Sequence, residues 1–172
     1  MTEKIDGMNG QILIAENNEP IVLTSGRTVP FLCGSRSRWI FPENDNHGFA
    51  RWAYENTKEL LKLGPGRHFG EWWGSGIQRN YGLKEKRFSL FNVKKWSDPL
   101  VRPSCCYVVP VIADGPFGTE IVKYALEVLA KNGSYAAPGF MKPEGIIIFH
   151  IAGNFLFKKT LEGDEVPKGK EE

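Results

Sequence analysis

The sequence predicts an α+β fold in which antiparallel β-strands are flanked by a few helices. Two observations support this prediction. Short segments rich in β-branched and aromatic residues recur along the chain between turns of Gly, Pro and Asn. Two longer segments, residues 48–63 and 119–131, instead repeat apolar side chains at helical spacing. Antiparallel strands with a few outer helices define the α+β class.

The predicted strands lie in both halves of the chain. Residues 10–15 and 20–24 flank a turn at Asn17-Asn18, and residues 29–33 follow a second turn at Ser25-Gly26. These three strands are predicted to form an antiparallel meander. The other predicted strands cover residues 67–73, 88–93, 106–112, 146–151 and 155–161.

Both predicted helices have recognisable ends. The first follows a polar loop over residues 42–46 and ends at Gly64-Pro65-Gly66, and the second ends at Asn132-Gly133. After Glu162 the chain becomes charged and rich in Gly and Pro. The prediction is therefore one domain over residues 1–162, followed by a flexible charged tail over residues 163–172.

The composition excludes several classes of protein. With 172 residues, 41% hydrophobic residues and a mean hydropathy of −0.31, the chain is typical of a soluble globular protein with one core. No run approaches the roughly 20 apolar residues of a membrane span, so no membrane partner is expected. There is no recognisable signal peptide, and the three cysteines are expected to be reduced thiols. These features predict a cytoplasmic protein.

The first residues, Glu3-Lys4-Ile5-Asp6-Gly7, are interpreted as a reactive lysine followed by a tight glycine turn. Three later segments give this short pattern its weight: Phe-Gly-Glu-Trp-Trp-Gly-Ser-Gly-Ile-Gln at 69–78, Phe-Ser-Leu-Phe at 88–91 and Glu-Gly-Ile-Ile at 144–147. In this order the four segments resemble the ATP-dependent RNA ligases of the bacteriophage nick-sealing type, which are covalent nucleotidyltransferases. The resemblance spans nearly the whole chain, from residue 3 to about 160.

The resemblance implies a fold, a reaction and its partners. The fold would be a nucleotidyltransferase (adenylyltransferase) domain of antiparallel sheets with flanking helices, similar to ATP-grasp folds. ATP and Mg²⁺ (or Mn²⁺) would be the cofactors, and RNA with 5′-phosphate and 3′-hydroxyl ends the partner. The reaction would form a lysyl-AMP on Lys4 and join RNA ends in RNA repair, in the host cytoplasm if the chain is phage-encoded.

The resemblance also implies nucleotide-binding roles for residues near the lysine. Glu3, Asp6 and Gly7 would contribute to the nucleotide site, with Asp6 and Gly7 shaping the turn, because glycine lets the backbone approach the nucleotide closely. Glu71 would accept hydrogen bonds from the ribose hydroxyls. Phe91 would stack on the adenine, a type of contact that contributes ~1–3 kcal/mol.

An arginine of the family contacts the ribose and the RNA 5′-phosphate. Arg36, at the end of the third predicted strand, matches it, and Arg27 and Arg38 are nearby rivals. A separate basic cluster, residues 84–87 with Lys94 and Lys95, is either a solvated loop or a patch that contacts the RNA backbone.

The catalytic lysine must attack ATP as an uncharged amine. A free lysine has a pKa of ~10.4, so neighbouring cations and partial burial are expected around a reactive one, with Lys158 and Mg²⁺ as the suppliers. Glu144 resembles the metal-associated carboxylate of the family. Lys158 matches the first lysine of the last motif, whose cation would neutralise charge on the transferred phosphoryl group. The family has Lys-x-Lys there, so either Lys159 takes the second role or Thr160 leaves it vacant.

The sequence departs from the family at both ends. In the family a further segment precedes the lysine motif, whereas here Met1 stands three residues before Lys4. A truncated start, a misassigned start and a minimal form of the domain are all compatible with this difference, and the first two predict reduced activity. No further domain is recognised after residue 162, so the RNA-binding surface outside the core is expected to be small.

Two other functions remain as alternatives. A DNA ligase or a capping guanylyltransferase shares the lysine chemistry, although Glu71-Trp72 followed by Gly-Ile-Gln favours the RNA ligases. A domain that binds nucleotides or nucleic-acid ends without catalysis belongs to a different class and would keep the same pocket. Covalent labelling with ATP discriminates between an enzyme and such a binding domain.

Overall fold

The strands and helices follow the predicted α+β class. The computed structural model describes residues 1–45 and 47–162, and in these ranges it contains eleven β-strands and four α-helices. The strands are β1 (Thr2–Lys4), β2 (Met8–Ile14), β3 (Ile21–Val22), β4 (Thr28–Val29), β5 (Leu32–Gly34), β6 (Trp39–Ile40), β7 (Gly66–Gly74), β8 (Lys86–Leu90), β9 (Tyr107–Val108), β10 (Gly145–His150) and β11 (Phe155–Thr160). The α-helices are α1 (Phe49–Glu55), α2 (Thr57–Leu60), α3 (Val93–Trp96) and α4 (Thr119–Asn132). Short 3₁₀ helices cover Glu16–Asn18, Pro42–Asn44 and Leu61–Leu63. The predicted tail over residues 163–172 lies outside the described residues, as does Asn46 of the predicted polar loop.

The chain forms two compact units, each with its own sheet and core. The first, here called the lysine unit, consists of Met1–Asp6 and, among the described residues, 109–162. The second, here called the central unit, is Gly7–Val108. The junction Asp6-Gly7 falls inside the predicted lysine motif, so the residues of that motif are shared between the units.

The central unit is built on a six-stranded sheet in the order β6-β5-β2-β7-β8-β9. Neighbouring strands are antiparallel except β8 and β9, which are parallel. Side chains alternate between the two faces of a strand. In β7, His68 and Trp72 are buried in the core on one face, while Arg67, Phe69 and Glu71 lie on the other. One face of this sheet therefore builds the core, and the other carries polar and aromatic groups.

The core of the central unit depends on two glycines. Gly10 of β2 is paired directly with Gly70 of β7, and a Cβ atom on Gly10 would lie 2.9 Å from the rings of Phe49 and Phe88. A Cβ on Gly70 would lie 2.6 Å from the carbonyl oxygen of Ser89. The rings of Phe49 and Phe88, with centroids 5.0 Å apart, cover the backbone at this point. The glycines therefore provide the space into which the aromatic core packs.

The lysine unit is built on a three-stranded antiparallel sheet in the order β1-β10-β11. Helix α4 covers one face: Ala125 and Leu129 pack against Ile146 and Ile148 of β10 in a buried apolar cluster. The helix ends at Gly133, whose positive φ of 77° suits a residue without a side chain. This unit matches the predicted helix and the last two predicted strands closely.

The predicted meander is wrong. The strand predicted over residues 29–33 divides at Pro30, which has no N–H group to donate to a neighbouring strand. On one side of this proline, β4 pairs with β3 in a separate two-stranded sheet, and on the other side β5 pairs with β2. Because β2 also pairs with β7, its neighbours in the sheet are β5 and β7 rather than β3.

Three other predicted elements are shorter or interrupted. The strand predicted over residues 106–112 is reduced to β9, and Pro110 again lacks an N–H group. The strand predicted over residues 88–93 ends before α3, whose N-cap residue Asn92 accepts a hydrogen bond from the amide of Lys95. The helix predicted over residues 48–63 is interrupted at Asn56, whose side-chain amide donates to the carbonyl of Trp52 at 2.8 Å.

The paired glycines give a testable prediction for stability. We expect Gly70→Ala to destabilise the central unit by roughly 1–3 kcal/mol, because its Cβ overlaps the Ser89 carbonyl and the Phe88 ring. Urea unfolding followed by tryptophan fluorescence measures this unit, since residues 39, 52, 72, 73 and 96 are the five tryptophans of the chain. Gly118→Ala is the control, because its Cβ would meet open space. Equal midpoints for the two variants would contradict the proposed role of Gly70.

Candidate functional site

In the lysine unit, Lys4 forms an ion pair with Glu144. Lys4 is the last residue of β1 and pairs with Gly145, the first residue of β10, which brings Glu144 beside the lysine. The side chain of Glu144 is only 2% exposed, and that of Lys4 is 20% exposed. A buried carboxylate is stable only when its charge is compensated, so the ion pair also fixes the position of the lysine amine.

The glycine that follows Glu144 is required by close packing. A Cβ on Gly145 would lie 2.1 Å from the carbonyl oxygen of Lys159, and the φ angle of Gly145 is +156°. Directly after β11, the amide of Leu161 donates to the carbonyl of Glu144 at 2.9 Å. The Glu-Gly pair of the predicted motif thus has a structural explanation, because β11 approaches β10 too closely for any other residue at position 145.

The strand register separates the two lysines of β11. Across the three strands, Lys158 is level with Thr2, and Lys159 is level with Glu3. Because side chains alternate between faces along a strand, Lys158 projects from the same face of the sheet as Lys4. Lys159 projects from the opposite face, which packs against α4. The prediction that Lys159 acts in catalysis is therefore not supported by the register.

Position 160 lies on the face of the sheet that carries Lys4. Thr160 is level with Lys4 through Gly145, so its side chain and that of Lys158 project on the same side of the sheet. The family's second lysine stands two residues after the first, at the position that Thr160 occupies here. The geometry therefore favours Thr160, rather than Lys159, as the residue at the second position of this motif.

Glu3 has an anchoring role that the sequence did not suggest. Its carboxylate is 1% exposed and accepts hydrogen bonds from the Ser134 hydroxyl at 2.6 Å and from the amides of Tyr135 and Ala136 at 2.8 and 2.9 Å. Burial raises the pKa of the Glu3 carboxyl, and these hydrogen bonds act in the opposite direction. The carboxylate predicted to bind nucleotide thus ties β1 to the loop after α4.

In the central unit, Glu71 contacts the end of the lysine motif. The amide of Gly7 donates to Oε1 of Glu71 at 3.1 Å. A Cβ on Gly7 would lie 2.6 Å from the carbonyl oxygen of Trp72 and 2.7 Å from Cβ of Trp73. Position 7 therefore requires glycine because its backbone lies directly against β7. The same glycine was predicted to make room for a nucleotide.

Phe91 lies at a cavity of about 300 Å³ in the central unit. It follows β8 directly, its side chain is 39% exposed, and its amide donates to the carbonyl of Phe69 at 3.0 Å. The exposed ring of Phe69 and the cations Arg67 and Lys95 line the same cavity. Leu90, the residue before Phe91, is fully buried, so the two neighbouring side chains lie in different surroundings.

Sequence reasoning missed Phe69 and Arg67 as candidate ligand-binding residues. The signal was the alternation expected of a β-strand: over residues 67–72 of β7 buried positions alternate with more exposed ones, and these two residues fall on the exposed positions. The sequence alone could not identify these residues as candidates, because only the pairing of β7 with β8 brings Phe69 level with Phe91. The Lys95 ammonium also lies 4.4 Å from the centroid of the Trp96 ring, so this part of the basic cluster is held at the cavity.

The three candidate arginines differ in their surroundings. Arg36 and Arg38 are exposed on a turn that the Ser35 amide closes by donating to the carbonyl of Arg38 at 2.9 Å. Arg27 instead forms an ion pair with Glu43 and lies over the ring of Phe41. The local contacts of Arg27 favour Arg36 and Arg38 as the groups presented for an anionic ligand.

The described residues were compared with two kinds of site: a metal-binding cluster and a membrane-spanning helix. Within residues 1–45 and 47–162, no three His, Cys, Asp or Glu side chains are grouped closely enough to hold a metal ion by themselves. In the same part of the chain, none of the helices has the length and apolar character that a membrane crossing requires.

Comparison with known proteins identifies the family. The family model for RNA ligase matches residues 1–160. The chain belongs to the RNA ligase family. This match confirms the resemblance to RNA ligases that was inferred from the lysine motif and the three later segments. No curated protein matches the chain.

Solved structures of an RNA ligase from Naegleria gruberi have a similar fold. One mutant of that enzyme, determined with ATP and Mn, is 22% identical over 94% of this chain and 48% of its own, with a TM-score of 0.58. An apo mutant is 20% identical over 92% of this chain and 48% of its own, also with a TM-score of 0.58. The chain therefore spans about half the length of these ligases. At this level of identity, the similarity establishes the fold.

The anchoring role of Glu3 is testable by hydrogen exchange. We expect Glu3→Ala to raise the exchange rates of the Tyr135 and Ala136 amides at least tenfold and to cost about 1–3 kcal/mol of stability, because buried donors lose their acceptor. Glu127→Ala, an exposed substitution on α4, is the control. Unchanged protection of both amides in Glu3→Ala would show that the carboxylate does not hold this loop.

Proposed function

We propose that this chain is an ATP-dependent RNA ligase domain that uses Lys4 as its nucleophile. In the first step, Nζ of Lys4 attacks the α-phosphate of ATP, a P–N bond forms, and pyrophosphate leaves as the P–O bond breaks. The RNA 5′-phosphate then displaces the lysine and takes the AMP. Finally, the 3′-hydroxyl attacks the activated 5′-phosphate and releases AMP. The observation that carries this proposal is the Lys4 amine, held at a strand end by buried Glu144 in a member of the RNA ligase family.

The ion pair also determines how the lysine becomes reactive. Attack requires that the Lys4 amine leave Glu144 and reach the α-phosphate. A second cation at the Glu144 carboxylate, bound together with ATP, would compensate that buried charge and release the lysine side chain. Lys158, on the same face of the sheet, would stabilise negative charge on the phosphoryl group.

In the lysine unit, Glu144 would bind a divalent metal ion only together with the phosphates of a nucleotide. Glu144 offers one carboxylate, and Mg²⁺ is usually held by one or two carboxylates with substrate phosphates and water. Glu144 would thus hold Mg²⁺ or Mn²⁺ against the triphosphate, where the metal supplies positive charge that balances the phosphates. The mutant Naegleria ligase determined with ATP and Mn supports this assignment of cofactors.

The nucleotide-binding roles are proposed for residues of the central unit and the turn. Glu71 would accept hydrogen bonds from the ribose, and the exposed ring of Phe91 would stack on adenine beside the cavity. Asp6 and Gly7 would shape the turn after the lysine, and Arg36 would contact the ribose and the RNA 5′-phosphate. Glu3 would contribute by positioning β1, since protein donors occupy its carboxylate.

The finer assignments are also part of the proposal. They are the phage nick-sealing type, the ATP-grasp-like fold, the cytoplasmic location and RNA ends with a 5′-phosphate and a 3′-hydroxyl as substrate. Because relatives of known structure are about twice as long, we also consider binding of nucleotides or nucleic-acid ends without catalysis as the alternative. Formation of a covalent lysyl-AMP distinguishes the two functions.

The first test is covalent labelling with ATP carrying a radioactive α-phosphate, in the presence of Mg²⁺. We expect the protein to acquire an acid-labile label. We expect Lys4→Ala to abolish it while the circular dichroism spectrum still shows a folded protein, with a lower unfolding midpoint because Glu144 loses a partner. Lys123→Ala, an exposed lysine of α4, is the matched control and should keep the label. Parental labelling of Lys4→Ala would overturn the assignment of the nucleophile, and an unlabelled parent would favour the binding function.

The strand register predicts different effects for neighbouring lysines. We expect Lys158→Ala to slow adenylation by about 10²- to 10³-fold, because its charge faces the site of phosphoryl transfer. Lys159→Ala, one residue along the same strand but on the opposite face, should retain a rate within a few-fold of the parent. Single-turnover labelling at saturating ATP measures both rates. A larger loss in Lys159→Ala than in Lys158→Ala would show that the register argument is wrong.

A further inference from the structure

Two adjacent thiols in the central unit are in contact and lie apart from the residues assigned above. The sulfur atoms of Cys105 and Cys106 are 3.9 Å apart, directly before β9. Cys105 is half-buried and Cys106 is buried. Both are free thiols, as is Cys33, which is buried elsewhere in the core. The central unit therefore contains a pair of thiols that a small reagent can reach from the Cys105 side.

The backbone around the pair is held in place. Arg102 donates from Nε to the carbonyl of Cys106 at 3.0 Å and from Nη1 to the carbonyl of Trp96 at 2.8 Å. The Ser104 amide and hydroxyl donate to the carboxylate of Glu59 at 3.1 and 2.9 Å. Because these contacts fix the residues on both sides, the two sulfur atoms are held close together without an ordering cost at the moment of ligand binding.

The two thiols differ in reactivity. Hydrogen bonding from Cys106 lowers the pKa of the Cys105 thiol, with partial burial acting against it, whereas the contact with Cys105 and burial raise the pKa of Cys106. The accessible Cys105 thiol therefore ionises first and is the initial nucleophile. Cys106 is then placed to form a second bond to whatever Cys105 has captured.

We propose that Cys105 and Cys106 form a bidentate site for trivalent arsenic compounds. With an organic arsenic oxide, the two S–H bonds and the As–O bond are exchanged for two As–S bonds and one molecule of water, so no oxidant is required. Zinc needs about four ligands, and the described residues offer no cluster of three metal-binding side chains. An organic arsenical already carries its third substituent, so two thiols complete its coordination. This site is independent of the ligase proposal.

Intact-protein mass spectrometry of the full chain with equimolar phenylarsine oxide tests the proposal. We expect one adduct on the native protein that survives excess glutathione, because both sulfur bonds must be exchanged to release the arsenic. A small dithiol should remove it, because it can replace both bonds at once. Cys105→Ser and Cys106→Ala should each lose the glutathione-resistant adduct, and Cys33→Ser, the matched control, should retain it.

Three results would overturn the proposal. The first is that the native protein takes up no arsenical. The second is that glutathione removes the adduct, and the third is that the glutathione-resistant adduct persists in Cys105→Ser. Cys105→Ser decides the matter if Cys106→Ala fails to fold, since Cys105 is the less buried of the two. Urea-unfolded protein treated in parallel shows that the reagent is active, so a negative result with native protein counts against the site.

Discussion

The pairing of β1 with β10 is the constraint on which the candidate site depends. Lys4 and Glu144 are separated by 140 residues, and the register that sets Lys4 opposite Gly145 brings their side chains together. The side chains on the two faces of β1 have different surroundings. Glu3 points into the unit and is held by three donors after α4, while Lys4 points to the other side. A one-residue slip of β1 would reverse both directions, so the buried Glu3 carboxylate also specifies the orientation of Lys4.

Elements with a strong local signal were predictable from the sequence. The helix predicted over residues 119–131 is α4, and the strands predicted over 146–151 and 155–161 are β10 and β11 to within about one residue. Strand pairing was not predictable in the same way, because it depends on contacts far apart in the chain. The meander failed at Pro30, where a missing N–H group outweighed the continuous apolar pattern on either side.

The sequence could name candidate residues, but it could not give their contacts. The motifs identified Lys4, Glu71 and Glu144, whereas the Lys4–Glu144 ion pair required the pairing of β1 and β10. Glu3 is the clearest example of a contact that the sequence could not give. A carboxylate next to a reactive lysine suggests a ligand contact, and only the folded chain reveals the donors that occupy it. Buried polar groups need partners, and those partners are usually distant in sequence.

The ion pair links the stability of the lysine unit to the position of the Lys4 side chain. Removing one partner of a buried pair commonly costs about 3–5 kcal/mol, because the remaining charge is left without compensation. Glu144 is almost fully buried, so the position of Lys4 beside it contributes to the stability of the β1–β10 pairing. A substitution of Lys4 would therefore act on the fold as well as on any chemistry of its amine. The same contact that places the lysine side chain at the end of β1 thus also helps to hold the two strands together.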